Sequence, residues 1–426
     1  MKREELASTL RQPYSKKSGF GVEKISKPGF ENIWFVVPPT PPHAVSEKLN
    51  LPLLRDANLA LQARPTGQAA SEIRRTMAYL LVHREAVSSS RMEGTWSTID
   101  EVLTPAVDES GRSATAAVRG YASALMHGIQ SVESGGMAAL TPELLCDLHK
   151  RVMQKDPSFS AIAGRLREPG APGDVVQIGS FGRKEDSVYN PAPPTHVNRC
   201  LDAVLHWMSD ESLLELGDAG MGLSLPIRMA VGHSHFEAVH PFSDGNGRVG
   251  RMLWAMQMAA ADRLPLYLSS YVEVEKNEYA ASLQEAQKQL AYRRMIDFVC
   301  HAIVACTDEE AVTRTVLECL PTVWQSRGKF RSGSTAARAL QLLLRMPVIT
   351  VRLLANELNV SMEAASQGMK RLERAGVVGD RSGHGHGRSY AAEEVIGILA
   401  RPFGADPEIA LEAAHNALTI TSTEAP

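Results

Sequence analysis

The sequence predicts a mainly α protein that contains a small β-hairpin and a separate helical module near its C-terminus. Apolar residues recur at the spacing of one helix face through most of the chain. An irregular stretch, residues 164–194, interrupts them with short β-like fragments. With 426 residues, of which 44% are hydrophobic and 22% charged, the chain is long enough for two or three globular domains.

The composition argues against a membrane protein and against a disulfide-stabilised one. Residues 1–17 are too polar for a signal peptide, and no apolar run is long enough to span a bilayer. The five cysteines lack the paired spacing of metal sites, so we expect them to be reduced and structural. The net charge of −3 indicates no particular partner. We therefore expect a cytoplasmic location and no membrane partner.

Residues 1–50 predict an extended arm, and two helices follow it. The proline run from Pro38 to Pro42 favours a rigid spacer over a ligand for another module. Helical spacing then covers residues 51–63 and 71–89, and Gly94 is typical of a residue that ends a helix. This leaves the carboxylate of the preceding Glu93 at the helix end, where an acid is ordinarily solvated.

The irregular stretch lies within a region, residues 98–208, that is otherwise predicted to be helical. The fragment from Val175 to Gly179 and a second fragment that begins at Tyr189 indicate a short β-hairpin between helices. The alternative interpretation is a surface loop.

The most informative stretch is residues 233–252, which read HSHFEAVHPFSDGNGRVGRM between two helical patterns. Gly245, Asn246 and Gly247 allow a tight, partly left-handed backbone that points consecutive N–H groups at one place, directly before a helix N-terminus. A backbone of this kind binds anions. The sequence therefore predicts an anion site in this loop.

The side chains around the loop make phosphate the expected anion. Arg248 and Arg251 lie in the first turn of the second helix, where guanidinium groups grip terminal phosphates. Asp244 offers a carboxylate that fits a Mg²⁺ ion between itself and the phosphates. His240 takes a proton near neutral pH, and Phe242 is expected to anchor the loop in the core. Taken singly, each feature has an ordinary structural explanation; together they have no common structural use.

The C-terminal part predicts a winged helix-turn-helix. A connecting helix and linker lead into three helical patterns at residues 335–344, 351–358 and 361–375. Residues 377–390 then predict a two-stranded wing.

This module is basic in a chain that is otherwise acidic. Between residues 332 and 391, eight Lys or Arg residues stand against four Asp or Glu residues, a surplus of four positive charges. Five of these side chains are candidates for contact with DNA phosphates: Lys370, Arg371 and Arg374 on the recognition helix, and Arg381 and Arg388 on the wing. Winged helices also dock proteins or form dimers, so DNA, a protein partner and a homodimer all stay open.

The segment from His240 to Arg251, HPFSDGNGRVGR, resembles the signature of the Fic (filamentation induced by cAMP) family, with every fixed position filled. The resemblance implies a Fic-type helical core and transfer of AMP from ATP to a hydroxyl of a target protein or of the enzyme itself. It implies that His240 deprotonates a Ser, Thr or Tyr hydroxyl and that Asp244 holds Mg²⁺. The glycine loop would then form the anion hole, and the arginines would hold the outer phosphates.

The resemblance also implies an inhibitory segment. Ser89, Glu93 and Gly94 fit the family pattern of a Ser or Thr, three residues, a Glu and a Gly or Asn. Their position before the core resembles the class whose inhibitory helix is N-terminal. A Glu93 that pairs with Arg251 would occupy the guanidinium that should hold the γ-phosphate, so the α-phosphorus of ATP would be misaligned.

The resemblance also implies roles in binding the target segment and the adenosine. The hairpin corresponds to a flap that holds the target segment by strand-like pairing, and we assign this role to Val176, Gln177, Ile178 and Gly179. Tyr279 resembles an aromatic residue beside the adenosine. Ala280 replaces a second Tyr of many relatives, and Gln287 stands where some relatives have an Asn that contacts adenine.

The predicted organisation has five parts: an N-terminal arm and inhibitory segment (1–110), a catalytic core (111–306), a connector (307–334), a winged helix-turn-helix (335–400) and a tail (401–426). The expected function is that of a Mg²⁺-dependent protein adenylyltransferase. One alternative is transfer of another phosphate-linked group, or hydrolytic removal of AMP. Another is a transcriptional regulator whose nucleotide site senses ATP.

Overall fold

The computed structural model describes residues 1–105, 111–179, 183–210, 224–381 and 389–412, with the backbone alone at residues 67–76. These residues are mainly helical with two small sheets, which confirms the predicted class. They divide into two compact units. Unit 1 comprises Met1–Thr66, Ser88–Thr95 and Arg112–Cys306; unit 2 comprises Gly67–Val87, Trp96–Gly111 and Thr307–Pro426.

The helices up to the end of the core are, in chain order, α1 (Leu51–Gln62), α2 (Gly67–Met92), α3 (Ile99–Leu103), α4 (Ala114–Gly135), α5 (Pro142–Met153), α6 (Val197–Ser209), α7 (Leu225–Val239), α8 (Asn246–Ala260), α9 (Ser269–Val274), α10 (Lys276–Gln289) and α11 (Arg293–Gly328). Unit 1 contains the last turn of α2, and α11 continues from unit 1 into unit 2.

Helix α7 lies at the centre of unit 1. Every residue from Pro226 to Val239 is buried, because α6, α8 and α10 pack around the helix. A helix buried on all sides has no polar face to expose, so its polar residues must find partners inside the protein. This requirement applies to His233, His235 and Glu237, which are 0%, 3% and 4% exposed.

Helix α4 forms the other side of this core, between α5 and α8. Two glycines of α4 permit its close approach to α5 and α8. A Cβ atom at Gly120 would lie 2.6 Å from the Arg151 carbonyl oxygen of α5, and one at Gly128 would lie 2.9 Å from the Met256 sulfur of α8. The backbone of α4 thus packs directly on both neighbours.

The N-terminal residues differ from the extended arm that the sequence predicted. Strands β1 (Gly21–Lys24) and β2 (Trp34–Val37) pair antiparallel, with Gly21 opposite Val37. Leu6, Leu10, Val22 and Val36 form a buried cluster with Tyr189 and Ala238. Strands of four residues joined by a long connection give almost no alternating pattern, which is why the sequence did not reveal them.

The C-terminal part of unit 2 begins with α12 (Thr335–Arg345), β3 (Val348–Thr350), α13 (Val351–Leu358) and α14 (Met362–Arg374), and ends with β4 (Gly379–Asp380), β5 (Ser389–Ala391) and α15 (Glu393–Ala400). The helices follow the three predicted patterns closely. The strands form one antiparallel sheet in the order β3-β5-β4, and the three-residue strand β3 was not predicted. No helix among the described residues is both long and apolar enough to cross a membrane.

Candidate functional site

The candidate site is the corner between α7 and α8, where two residues adopt left-handed backbone. His240 follows the last residue of α7 with φ 50° and ψ 64°, and its N–H donates to the Phe236 carbonyl oxygen at 2.9 Å. Gly245 precedes α8 with φ 76°. Glycine adopts this conformation without strain, whereas a histidine held there needs support from its surroundings.

Asn246 closes the corner with its side chain. Its Oδ1 accepts the Phe242 N–H and its Nδ2 donates to the Phe242 carbonyl oxygen, both at 2.8 Å. The Phe242 ring is fully buried and stacks on His149 of α5, with ring centroids 4.0 Å apart. Phe242 is thus the anchor that the sequence predicted, while the Asn246 side chain holds the loop.

His149 fixes the tip of the loop. Its Nδ1 accepts the Gly164 N–H at 2.8 Å, so the neutral ring carries its proton on Nε2, which lies 3.0 Å from the Asp244 carbonyl oxygen and donates to it. Burial lowers the pKa of His149 from 6.5 to about 4. The ring therefore stays neutral at physiological pH, and both of its hydrogen bonds persist.

Arg167 holds the backbone of the corner, a role that the sequence did not predict. Its guanidinium donates to four carbonyl oxygens, those of His240 (2.7 Å), Val239 (2.8 Å), Ala192 (2.9 Å) and Asp174 (3.0 Å). The side chain is 3% exposed. No spacing rule links Arg167 to the motif, because more than seventy residues separate it from His240.

The first turn of α8 offers N–H groups at its N-terminus. The N–H groups of Asn246, Gly247 and Arg248 lie in this turn, where a helix supplies no acceptor of its own. Together with the partial positive charge of the helix end, they fit an anion.

Arg251 lies one turn further along α8 and is held by the last turn of α2. Its Nε donates to Ser89 Oγ at 2.8 Å, and its Nη2 donates to the Ser89 carbonyl oxygen at 2.9 Å and to Glu93 Oε1 at 2.8 Å. The Arg251 side chain is 2% exposed and that of Glu93 is 31% exposed. A Cβ atom at Gly247 would lie 2.3 Å from Glu93 Oε1, so a side chain at this position would displace the carboxylate.

Glu93 reaches Arg251 because α2 ends where the sequence predicted. The last helical residue is Met92, and Gly94 adopts φ 79° beyond the cap. The structure therefore brings Ser89 and Glu93, which are far from the motif in sequence, onto a motif arginine.

Arg248 is placed differently from the prediction. Its Nη1 donates to Asp156 Oδ2 at 2.7 Å, and both side chains are almost completely buried. The guanidinium that was expected to grip a phosphate is therefore engaged by a carboxylate of the core. We retain only the N–H of Arg248 among the candidate anion contacts.

Asp244 is the one exposed residue of the loop from Pro241 to Asn246. Its Oδ1 accepts the Gly245 N–H at 2.6 Å. Mg²⁺ in nucleotide sites typically uses one or two carboxylates and completes its shell with phosphate oxygens and waters. The single exposed carboxylate of Asp244 fits this mode.

The two residues assigned to the adenosine lie in buried surroundings. Tyr279 is 7% exposed, and its hydroxyl donates to His233 Nε2 at 2.8 Å, since His233 Nδ1 donates to the Gly250 carbonyl oxygen. Gln287 lines a cavity of about 10 Å³ with Val36 and Pro38 of the N-terminal segment. Neither placement adds support to a base contact.

The predicted flap consists of one isolated bridge. Ile178 pairs with Tyr189, with the Ile178 N–H donating to the Tyr189 carbonyl oxygen at 2.9 Å. Gln177 Nε2 donates to the Lys184 carbonyl oxygen and to Asn190 Oδ1. Val176 and Gly179 complete the segment, and residues 180–182 lie outside the described chain.

The five basic residues assigned to DNA differ in their placement. Lys370, Arg371 and Arg374 are exposed on α14. Arg381 instead pairs with Glu393 at 2.7 Å and also with Asp100, which engages the guanidinium assigned to DNA. Arg388 lies outside the described residues.

Comparison with known proteins identifies the region that contains this corner. Residues 139–258 match the model of the Fic/DOC family. Residues 51–130 match the model of the Fic/DOC N-terminal region. The segment from His240 to Arg251 lies within the first of these matches, and Ser89, Glu93 and Gly94 lie within the second.

The curated relatives are named as adenylyltransferases. Protein adenylyltransferase fic-1 of Caenorhabditis elegans is 33% identical over 144 residues, and its Caenorhabditis briggsae counterpart is 32% identical over the same length. The match covers 33% of this chain and 23% of each relative, so it spans about a quarter of their length.

The solved structures that resemble the chain include two Fic proteins. Fic-1 of Caenorhabditis elegans (residues 134–508) has a TM-score of 0.46 at 22% identity, over 62% of this chain and 72% of that one. A Fic family protein from Desulfovibrio desulfuricans has a TM-score of 0.47 at 16% identity, over 82% and 98%.

The buried His149 predicts an acid-sensitive core. Because its pKa falls from 6.5 in the unfolded chain to about 4 in the fold, the unfolded chain binds the proton first, and stability is lost as pH falls from 6.5 towards 4. This difference in pKa contributes about 3 kcal/mol at most to the free energy of unfolding. We expect His149→Asn, whose Oδ1 still accepts the Gly164 N–H, to make the dependence of the melting temperature on pH less steep, while the buried His233 and His235, whose pKa values burial also lowers to about 4, maintain the remainder. The exposed His206→Asn serves as the control and should leave that dependence unchanged.

Proposed function

We propose that the chain is a protein adenylyltransferase that transfers AMP from ATP to a Ser, Thr or Tyr hydroxyl of a target protein and of itself. The proposal rests chiefly on the convergence of His240, Asp244, the first-turn N–H groups of α8 and Arg251 at one corner. The names of the curated relatives support the same chemistry.

In this proposal the α8 N-terminus holds the ATP phosphates. The N–H groups of Asn246, Gly247 and Arg248 stabilise the charge that develops on the phosphoryl oxygens, and a single donor of this kind is worth about 3 kcal/mol. Arg251 holds the outer phosphates once Glu93 releases it. Asp244 would hold Mg²⁺, which when bound supplies neutralising charge at the phosphates.

His240 acts as the general base. It takes the proton of the acceptor hydroxyl, whose oxygen forms a bond to the α-phosphorus of ATP. The bond from that phosphorus to the β-phosphate oxygen breaks, and pyrophosphate leaves. The ring has room to meet a substrate, since its side chain is 16% exposed at the end of an otherwise buried helix.

Glu93 restrains this activity in the proposal. A charge-assisted hydrogen bond of about 1.5–3 kcal/mol holds Arg251 away from the γ-phosphate, which corresponds to roughly ten- to hundredfold in rate. The 2.8 Å contact between Arg251 Nη2 and Glu93 Oε1 supports this role of Glu93.

The C-terminal part of unit 2 is proposed to be a winged helix-turn-helix that contacts DNA. The order of α13, α14 and a three-stranded sheet supports the module, with α14 as the recognition helix. Exposure of Lys370, Arg371 and Arg374 on that helix supports DNA as the partner.

Replacement of the base tests the transfer reaction. We expect His240→Ala to abolish incorporation of label from α-labelled ATP while ATP binding, followed by calorimetry, is largely retained. Label from γ-labelled ATP should not be incorporated by either protein, because pyrophosphate leaves. Undiminished labelling by His240→Ala would remove this residue from the mechanism, and γ-label on the protein would indicate phosphate transfer instead.

Removal of the restraint tests the role of Glu93. Glu93→Gly should increase the rate of self-labelling about ten- to hundredfold at saturating ATP and Mg²⁺, because Arg251 loses its charged partner. Glu93→Gln, which keeps the shape and loses the charge, should lie between this variant and the wild type. Equal rates for all three proteins would contradict the proposed restraint.

The salt dependence of DNA binding tests the module. If the exposed side chains of α14 contact phosphates, replacing Lys370, Arg371 and Arg374 together by Gln lowers the slope of log K against log salt by about 0.9 per lost contact. Fluorescence anisotropy of the full chain on a random-sequence duplex measures this slope. The matched control replaces the exposed Lys16, Lys17 and Lys48 by Gln and should leave the slope unchanged.

A further inference from the structure

A buried carboxylate lies directly behind the proposed base. Glu237 is on the last turn of α7, three residues before His240, and its Oε2 is 3.3 Å from His240 Nδ1. The Glu237 side chain is 5% exposed. The left-handed backbone of His240 turns the ring back over this turn of its own helix, so the i,i+3 pair meets at the helix end.

The two side chains have no competing hydrogen bonds. Among the described residues, neither Glu237 Oε1 nor His240 Nδ1 has a hydrogen-bond partner, and Glu237 Oε2 lies 3.3 Å from His240 Nδ1. A buried carboxylate without a donor is costly, so the imidazole is the group that compensates it. Gly250 of α8 leaves the space for this arrangement, because a Cβ atom there would lie 2.7 Å from Glu237 Oε1.

The surroundings keep Glu237 ionised. Burial raises the pKa of Glu237, but the contact with His240 and the positive charge of the nearby Arg251 lower it by more, so the net shift is downward. His233 itself is neutral, because Nδ1 donates to Gly250 and Nε2 accepts from Tyr279, and burial lowers its pKa to about 4. Glu237 therefore faces the imidazole as an acceptor that carries a negative charge.

We propose that Glu237 is the positioning residue of His240: it holds the proton on Nδ1 and leaves the Nε2 lone pair as the base. The hydrogen bond made by one ring nitrogen decides which nitrogen is protonated, and without an acceptor at Nδ1 the ring loses this preference. The role of Nε2 in transfer rests on the proposed function, whereas the position of the proton does not.

The proposal accounts for the charge during transfer. When Nε2 takes the hydroxyl proton, the hydroxyl oxygen bonds to the α-phosphorus and the bond to the departing pyrophosphate breaks. The ring becomes an imidazolium with protons on both nitrogens. Glu237 then pairs with a full positive charge in a buried setting, which stabilises the state that the base must reach.

The position of the proton is tested by NMR of histidine labelled with ¹⁵N, in which the two ring nitrogens report the tautomer. The His240 signals are identified by their loss in His240→Ala. We expect the Nδ1–H tautomer in the wild type and in Glu237→Gln, whose amide oxygen still accepts. We expect the Nε2–H tautomer to gain population in Glu237→Met, which has no acceptor. An unchanged tautomer in Glu237→Met overturns the proposal.

Kinetics test the charge of Glu237 in the Glu93→Gly background. Glu237→Gln should lower kcat for AMP transfer at least about tenfold, leave KM for ATP unchanged within about twofold, and retain the melting temperature. Glu237→Asp should recover part of kcat. A wild-type kcat in Glu237→Gln contradicts the role of the charge.

The two proposals fail separately. If the Glu93→Gly protein transfers no AMP but the tautomer follows Glu237, the proposed function fails and the positioning of the ring stands. If AMP is transferred and the tautomer ignores Glu237, the reverse holds.

Discussion

The corner between α7 and α8 depends on the satisfaction of its backbone carbonyl groups. The chain must leave a fully buried helix, pass through a histidine in left-handed conformation, and begin a second buried helix within a few residues. Carbonyl groups exposed by such a bend would be costly away from water. Arg167 supplies donors to four of them from a single planar group, a task for which guanidinium is suited and an ammonium is not.

The geometry of the site follows from this constraint. With the main chain fixed by Arg167 and the loop tip fixed by His149, the side chains that face outward are those of His240 and Asp244. Those that face inward, Phe242 and Asn246, hold the loop in place. A reactive group on a fixed main chain keeps its orientation before the ligand binds. The site is therefore preorganised.

Sequence reasoning identified the parts of the site that are contiguous in the chain. The segment from His240 to Arg251 could be interpreted as a loop and a helix start, because glycines, a helix N-terminus and charged residues follow one another. Arg167, His149 and Asp156 could not be found in this way, since only the tertiary fold brings them to the motif. Glu237 is recognisable from the sequence, because it lies three residues before His240 on a helix that is apolar on all sides apart from a few polar residues.

The fold shows the same contrast between local patterns, which the sequence reveals, and tertiary contacts, which it does not. Helices with clear 3.6-residue periodicity, such as α12 and α13, were predicted closely, whereas the two-stranded sheet of β1 and β2 was missed. Arg248 illustrates a related limit. Its position in the first turn of α8 was evident from the sequence, but the direction of its side chain depends on Asp156, a partner that no local pattern indicates.

The Ser89 carbonyl oxygen gives the end of α2 an unusual property. It belongs to the last turn, where a helix has no N–H of its own to offer, and Arg251 fills that gap. The guanidinium thus caps one helix while it extends from another. An anion that draws Arg251 away leaves the α2 terminus uncapped, so ligand occupancy and fraying of this turn are thermodynamically linked. By reciprocity, a change that strengthens the contact of Arg251 with the α2 terminus weakens, by the same factor, the binding of an anion that requires Arg251 to leave this contact.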